Sequence, residues 1–111
     1  MQLSDYQKLA QRTARTDHPA RAAIAGLGLG GEAGEVQELL KKHHGHGHDL
    51  DVSKLAKELG DVLWYVAEIA ACHGLDLDDV AEANIAKLKA RYPEGFSSAA
   101  SVARVDLGGA E

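Results

Sequence analysis

Cysteine occurs once in this chain, at Cys72, so no internal disulfide can staple the fold. Cys72 sits in an apolar helical run and reads as a small buried hydrophobe in a protein of a reducing, cytoplasmic compartment. Only two prolines interrupt the chain, and aromatics at 5% leave a core of small and aliphatic groups. No basic surplus exists: 12 Lys and Arg stand against 17 Asp and Glu, a net charge of −5, which argues against a nucleic-acid binder. The longest apolar run, 62–67, ends at Glu68 and cannot span a membrane. The opening MQLSDYQKLAQRTA has no apolar signal core. What is present is 111 residues, 45% hydrophobic and rich in alanine, enough for one small all-α domain.

Four helices are expected. Residues 4–15 form a short helix capped by Ser4 or Asp5, with Leu9 and Ala10 as its apolar face. A break at HPAR places Pro19 in the first turn of a second helix, about 20–44. HHGHGHDLD, 43–51, reads as a loop in which Gly45 and Gly47 suit a helix C-cap and Asp51 or Ser53 the next N-cap. A third helix spans about 52–73 and stops at Gly74; a fourth starts after Asp76 or Asp78 and ends at Arg91, before Pro93. The domain so defined covers 1–92, and 93–111 is expected to be an irregular tail.

Two stretches pair acids with glycine: GGEAGEVQE (30–38) and KELGD (57–61). Leu29, Ala33, Val36 and Leu40 make a core stripe on the second helix; Leu55, Leu59, Val62, Val66 and Ile69 make one on the third. Glu32, Glu35, Glu58 and Asp61 each precede a stripe residue by one position, about 100° of rotation, so they flank the core. A short loop makes the two helices antiparallel neighbours. Residues at one height then have a constant number sum, and Glu32 with Asp61 and Glu35 with Glu58 both give 93. All four carboxylates therefore share one level and one face of the hairpin. At about 5 Å and an effective dielectric near 20, each pair repels by roughly 3 kcal/mol. Either water spreads the cluster, or protons or a hard cation such as Mg²⁺ or Mn²⁺ neutralise it. A single ExxE is ordinarily a solvated face; two pairs matched in height, each with an inserted glycine, favour a site. Gly34 and Gly60 cost about 1 kcal/mol each relative to alanine, so their expected use is room for a ligand or a close helix approach.

Asn84, Lys87 and Arg91 fall at i, i+3 and i+7, a polar and cationic stripe that reads as a solvated face or, beside carboxylate-bound metal, as a phosphate clamp. GLGLGG lacks the lysine and hydroxyl ending of a phosphate loop, and no strand precedes it. The histidines of 43–48 can take Zn²⁺ or Ni²⁺ adventitiously, which leaves a non-enzymatic metal-binding helical module as a rival reading. Glu68 and His73 lack the ExxH spacing of a di-iron site. Trp64 and Tyr65 can stack a base, with packing in the core or at a subunit contact as the alternative. From Leu59 to Leu75 the third helix is apolar nearly all round, so an antiparallel helical bundle completed by a second subunit is expected.

These residues resemble the MazG-like all-α nucleoside triphosphate pyrophosphohydrolases. The resemblance rests on EAGE…ELGD, VLWYVAEIA, NIAKLKARYPEGFS and the N-terminal YQKLAQRTA, and covers about residues 5–96. It implies Mg²⁺-dependent cleavage of a nucleoside triphosphate to monophosphate and pyrophosphate by a homodimer or homotetramer, with no role for nucleic acid or membrane. Glu32, Glu35, Glu58 and Asp61 would hold the metal; Asn84, Lys87 and Arg91 the phosphates. Glu35 or Glu38 would take the proton of the attacking water. Related dUTPases and phosphoribosyl-ATP pyrophosphatases share the acid pattern, so the base and sugar stay open. HHGHGHDLD departs from the family pattern.

Overall fold

The computed structural model describes residues 1–107, all helix, turn and loop, with no strand among them. It forms two compact units, residues 1–76 and the remainder from Leu77.

The first unit holds α1 (Leu3–Ala10), a 3₁₀ turn (Gln11–Thr13), α2 (Arg21–His46) and α3 (Val52–Cys72). α2 and α3 pack as the expected antiparallel hairpin. Its turn is sharper than the sequence reading placed it. α2 runs on through His43, His44 and His46 and ends only at Gly47, whose φ of 73° is the left-handed conformation that glycine adopts without strain. Asp51 then caps α3, its carboxylate accepting from the Lys54 amide at 3.1 Å. Gly74, at φ 68°, closes the far end, and the Leu75 amide reaches back to the Ala70 carbonyl at 2.8 Å.

The helices meet on alanine. Ala25, Ala67 and Ala70 are the buried apolar residues of this unit, and no large side chain is fully enclosed among the described residues. Leu59, expected in the core, is 52% exposed, and Leu27 is 78% exposed. α1 departs further from its reading: it begins on a Gln2 cap, ends at Ala10, and leaves Leu9 half exposed. It docks through buried Gln7, whose amide donates to the Leu75 carbonyl at 2.9 Å and, more weakly, to that of Ala67 at 3.4 Å. An amide serves here because Leu75 lies just past the end of α3, where the helical ladder no longer supplies its carbonyl with a donor.

Tyr65 lies directly on Gly28: a β-carbon there would fall 2.1 Å from the ring. This is the close approach that Gly34 and Gly60 were expected to allow; nothing lies within 4 Å of the β-carbon positions of either. Gly28→Ala is therefore expected to destabilise the chain by about 1–3 kcal/mol, the usual cost of overpacking. Urea unfolding would measure it, and a change below about 0.5 kcal/mol would contradict the contact.

The second unit holds α4 (Leu77–Arg91), α5 (Ser98–Ala103) and a 3₁₀ turn (Val105–Leu107). The expected irregular tail is thus largely structured as far as Leu107; residues 108–111 lie outside the described residues. Ser97 caps α5 by accepting from the Ala100 amide at 3.1 Å. Asp106, its side chain 1% exposed, receives both the Nε and Nη2 of Arg91 at 2.9 Å and the Nε of Arg104 at 3.4 Å. The Arg91 guanidinium, followed by that of Arg104, holds the Asp106 carboxyl well below its ordinary value. A depressed carboxylate stabilises above its unfolded pKa and loses that contribution as pH falls through the folded value. The tail contact should persist to about pH 4 and fail only in stronger acid. Asp106→Ala should speed amide hydrogen exchange across 98–107 at neutral pH; unchanged exchange would contradict the latch.

Candidate metal and substrate site

On the α2–α3 hairpin, Glu32, Glu58 and Asp61 each direct a carboxylate oxygen to within 4.8 Å of the others. Glu32 and Glu58 are half-buried and Asp61 is exposed. Burial raises the Glu32 carboxyl above its ordinary value, followed by a hydrogen bond with Glu58 and the charges of Asp61, Glu58 and Glu35. The donor set fits a hard divalent ion: around Mg²⁺ at about 2.1 Å, adjacent ligands stand roughly 3 Å apart and opposite ones roughly 4 Å.

The other expected acids lie apart. Glu35 is exposed and outside the triad, although its charge reaches Glu32. Glu38 forms an exposed i, i+3 ion pair with Lys41 at 3.1 Å, and the Lys41 hydrogen bond lowers its carboxyl. A carboxylate tied to an ammonium is the poorer proton acceptor, which favours Glu35 over Glu38 for that role.

Tyr6, on α1, opens the N-terminal YQKLAQRTA stretch but was given no role of its own. Its phenol is pushed up first by burial and then by the charge of Asp61, which brings α1 to the rim of the triad. Glu32 and Asp61 line a cavity of about 360 Å³ with Trp64 and Tyr65. The aromatic pair is held edge to face with ring centres 5.0 Å apart. Trp64 Nε1 donates to Thr13 Oγ1 at 3.0 Å and to the Ala10 carbonyl at 3.3 Å, which ties the indole to the 3₁₀ turn.

Asn84 and Lys87 are exposed on α4, whereas Arg91, expected in the same stripe, has its guanidinium engaged by Asp106. The histidines do not converge: among the described residues, the triad is the one set of three or more His, Cys, Asp or Glu with metal-ligand proximity. His43 Nδ1–H instead donates to the His48 carbonyl at 2.7 Å, closing the end of α2.

The sequence reading also missed the polar cluster on which the N-terminal segment rests. Glu68, its side chain 5% exposed, accepts from Arg21 Nη2 at 2.7 Å and Nε at 2.9 Å, and from Gln11 Nε2 at 2.9 Å. A signal existed. Residues 21 and 68 sum to 89, one helical turn from the register of 93, and a lone acid in an apolar run needs a partner.

No helix among the described residues is long and apolar enough to cross a membrane. No solved structure matches the chain significantly. A curated relative, the Gene 37 protein of Mycobacterium phage L5, is 38% identical over 73 residues; the match covers 62% of this chain and 64% of that protein, just under two thirds of its length. Residues 25–96, which carry both acid motifs and α4, match the MazG nucleotide pyrophosphohydrolase domain. The chain belongs to that family.

Proposed function

We propose that this chain hydrolyses nucleoside triphosphates to the monophosphate and pyrophosphate, using Mg²⁺ or Mn²⁺ held by Glu32, Glu58 and Asp61. The observation that carries this reading is the convergence of those three carboxylates within 4.8 Å on a hairpin of this family. When bound, the ion would offset the charge of the triphosphate and polarise the phosphoryl oxygen under attack.

Glu32 and Glu58 hold the inner edge of the site, and Asp61 its solvent side. Glu35, exposed and one turn from Glu32, is the remaining acid placed to take the proton of the attacking water and to serve as an outer ligand. Asn84 and Lys87 carry the phosphate role that the resemblance assigns. Half-exposed Ile24 and exposed Leu27 on α2, with half-exposed Leu59 on α3, are surface that a second copy would cover, in keeping with a homodimer or homotetramer.

The test is a panel of ribo- and deoxynucleoside triphosphates, with dUTP and phosphoribosyl-ATP included, incubated with Mg²⁺ while pyrophosphate and monophosphate are quantified. Pyrophosphate release abolished by chelation is expected. Absence of turnover across the panel, or release of orthophosphate instead, would overturn the proposal.

A further inference from the structure

Beside the acid-lipped cavity lies a second, of about 260 Å³, and Trp64 and Tyr65 line both. We propose that this second cavity seats the base of the substrate and selects keto bases over amino bases. The inference rests on the function proposed above and adds the substrate class.

One part of the lining is flat and apolar: Ile24, Ala25 and the two aromatics suit a planar ring rather than a phosphate. The polar part is biased toward donors. Glu68 is its carboxylate acceptor, with three of about four lone-pair sites taken: Oε1 by Gln11 and Arg21, and Oε2 once by Arg21 Nε. Among the described residues, Arg21 Nη1 has no partner. His18 Nδ1 accepts from the Ala20 amide at 3.0 Å, so the ring carries its proton on Nε2 and can only donate there. Arg15 adds a third donor group to the lining. The Thr13 hydroxyl has given its one proton to the Ala10 carbonyl and accepts from Trp64, which leaves it a single lone pair and no donor. Tyr65 alone can take either role.

Guanine and uracil or thymine present an exocyclic carbonyl beside a ring N–H, whereas adenine and cytosine present an exocyclic amino donor beside a bare ring nitrogen; the carbonyl meets the donors, and the ring N–H falls to the Tyr65 hydroxyl or the open lone pair of Glu68 Oε2. A donor facing donors leaves both unpaired, and sites built this way discriminate strongly. Asp61 and Glu68 stand seven residues apart on α3, about 10 Å along the axis. Metal and base would thus be read at two levels of one helix.

Trp64 is the chain's one tryptophan and lines the cavity, so it reports on occupancy. The full chain, without metal, is titrated with uridine, cytidine, inosine and adenosine while Trp64 emission is followed. Within each keto and amino pair, a carbonyl beside a ring N–H is exchanged for an amino group beside a bare ring nitrogen. Uridine and inosine should half-saturate at concentrations at least tenfold below cytidine and adenosine. Ile24→Phe, which narrows the cavity from a half-exposed position, should weaken uridine at least tenfold with helicity unchanged; His18→Ala should shrink the uridine-to-cytidine ratio. Equal affinity within each pair, indifference to both variants, or a Trp64 response to pyrophosphate but to no nucleoside would each overturn the proposal. Nucleoside silence in a protein that cleaves triphosphates sinks this inference alone. Selective nucleoside binding without turnover sinks the catalytic reading alone.

Discussion

Replacing Asp61 by asparagine, or Glu58 by glutamine, is expected to lower Mg²⁺-dependent pyrophosphate release by about 100-fold or more, the scale of losing one electrostatic stabiliser from a transition state. The same variants should raise the melting temperature of the metal-free protein, because each removes a charge that repels Glu32. The pH dependence has a definite sign. Glu32 has a raised carboxyl, so the folded chain holds its proton after the unfolded chain has released it. Metal-free stability should therefore fall as pH rises from the ordinary carboxylate value through the raised one. Saturating Mg²⁺ should remove that fall in the wild type and have little effect in Asp61→Asn. Glu38→Gln is the contrast, since Lys41 already holds that acid, and its turnover should stay near wild type. A triad variant with unchanged turnover, or a melting temperature blind to Mg²⁺, would remove these residues from the site.

The hairpin and its register were legible because both follow from spacing. Apolar steps of three and four residues place a stripe, a short turn makes the partners antiparallel, and a constant sum sets their level. That rule found three of the triad's carboxylates and also offered a fourth. It fixes the heights of α-carbons, not the positions of carboxylate oxygens at the ends of flexible side chains. With three acids already within 4.8 Å, a fourth relieves repulsion by turning to water, and Glu35 is exposed. The glycines show a similar limit. Gly34 and Gly60 drew notice by standing among acids, while Gly28, the one pressed by a ring, carried no such mark.

Elsewhere the sequence signal was weak for identifiable reasons. The segment 93–107 lacks amphipathic periodicity because its order comes from an Asp106 ion pair and a Ser97 cap rather than an apolar stripe. Arg91 looked like a phosphate ligand by spacing, and only the return of the chain through Asp106 shows its guanidinium engaged. The histidine run looked like a loop because two glycines interrupt it. Yet Gly45 stays helical, and the turn is made by Gly47, the one with positive φ. Tyr6 and Trp64 acquire their roles from the docking of α1, which rests on Gln7 and on no apolar pattern that a sequence displays.

Glu68→Ala is expected to cost about 3–5 kcal/mol, the penalty for leaving the other member of a buried pair uncompensated. For a chain of this size the melting temperature should drop by more than about 10 °C. Arg21, its side chain 20% exposed, would lose its bidentate partner, and Gln11 would lose the acceptor that ties the 3₁₀ turn to α3. The pH profile offers an internal check. The Arg21 hydrogen bond holds the Glu68 carboxyl below its ordinary value against the opposing effect of burial. The wild type's advantage should thus be complete above about pH 5 and fade as acid titrates the folded carboxyl. Pairing Glu68→Leu with Arg21→Met should recover most of the loss, since an apolar pair of similar volume avoids the desolvation of both charges. A double-mutant cycle in urea, with unchanged slope, would measure a coupling of several kcal/mol. Additive single effects, or a Glu68→Ala cost under about 1 kcal/mol, would mean the pair carries little of the fold. The double variant also separates stability from recognition. It should fold yet show a smaller preference for uridine over cytidine, because one of the donors that read the carbonyl leaves with Arg21 while His18 and Arg15 stay.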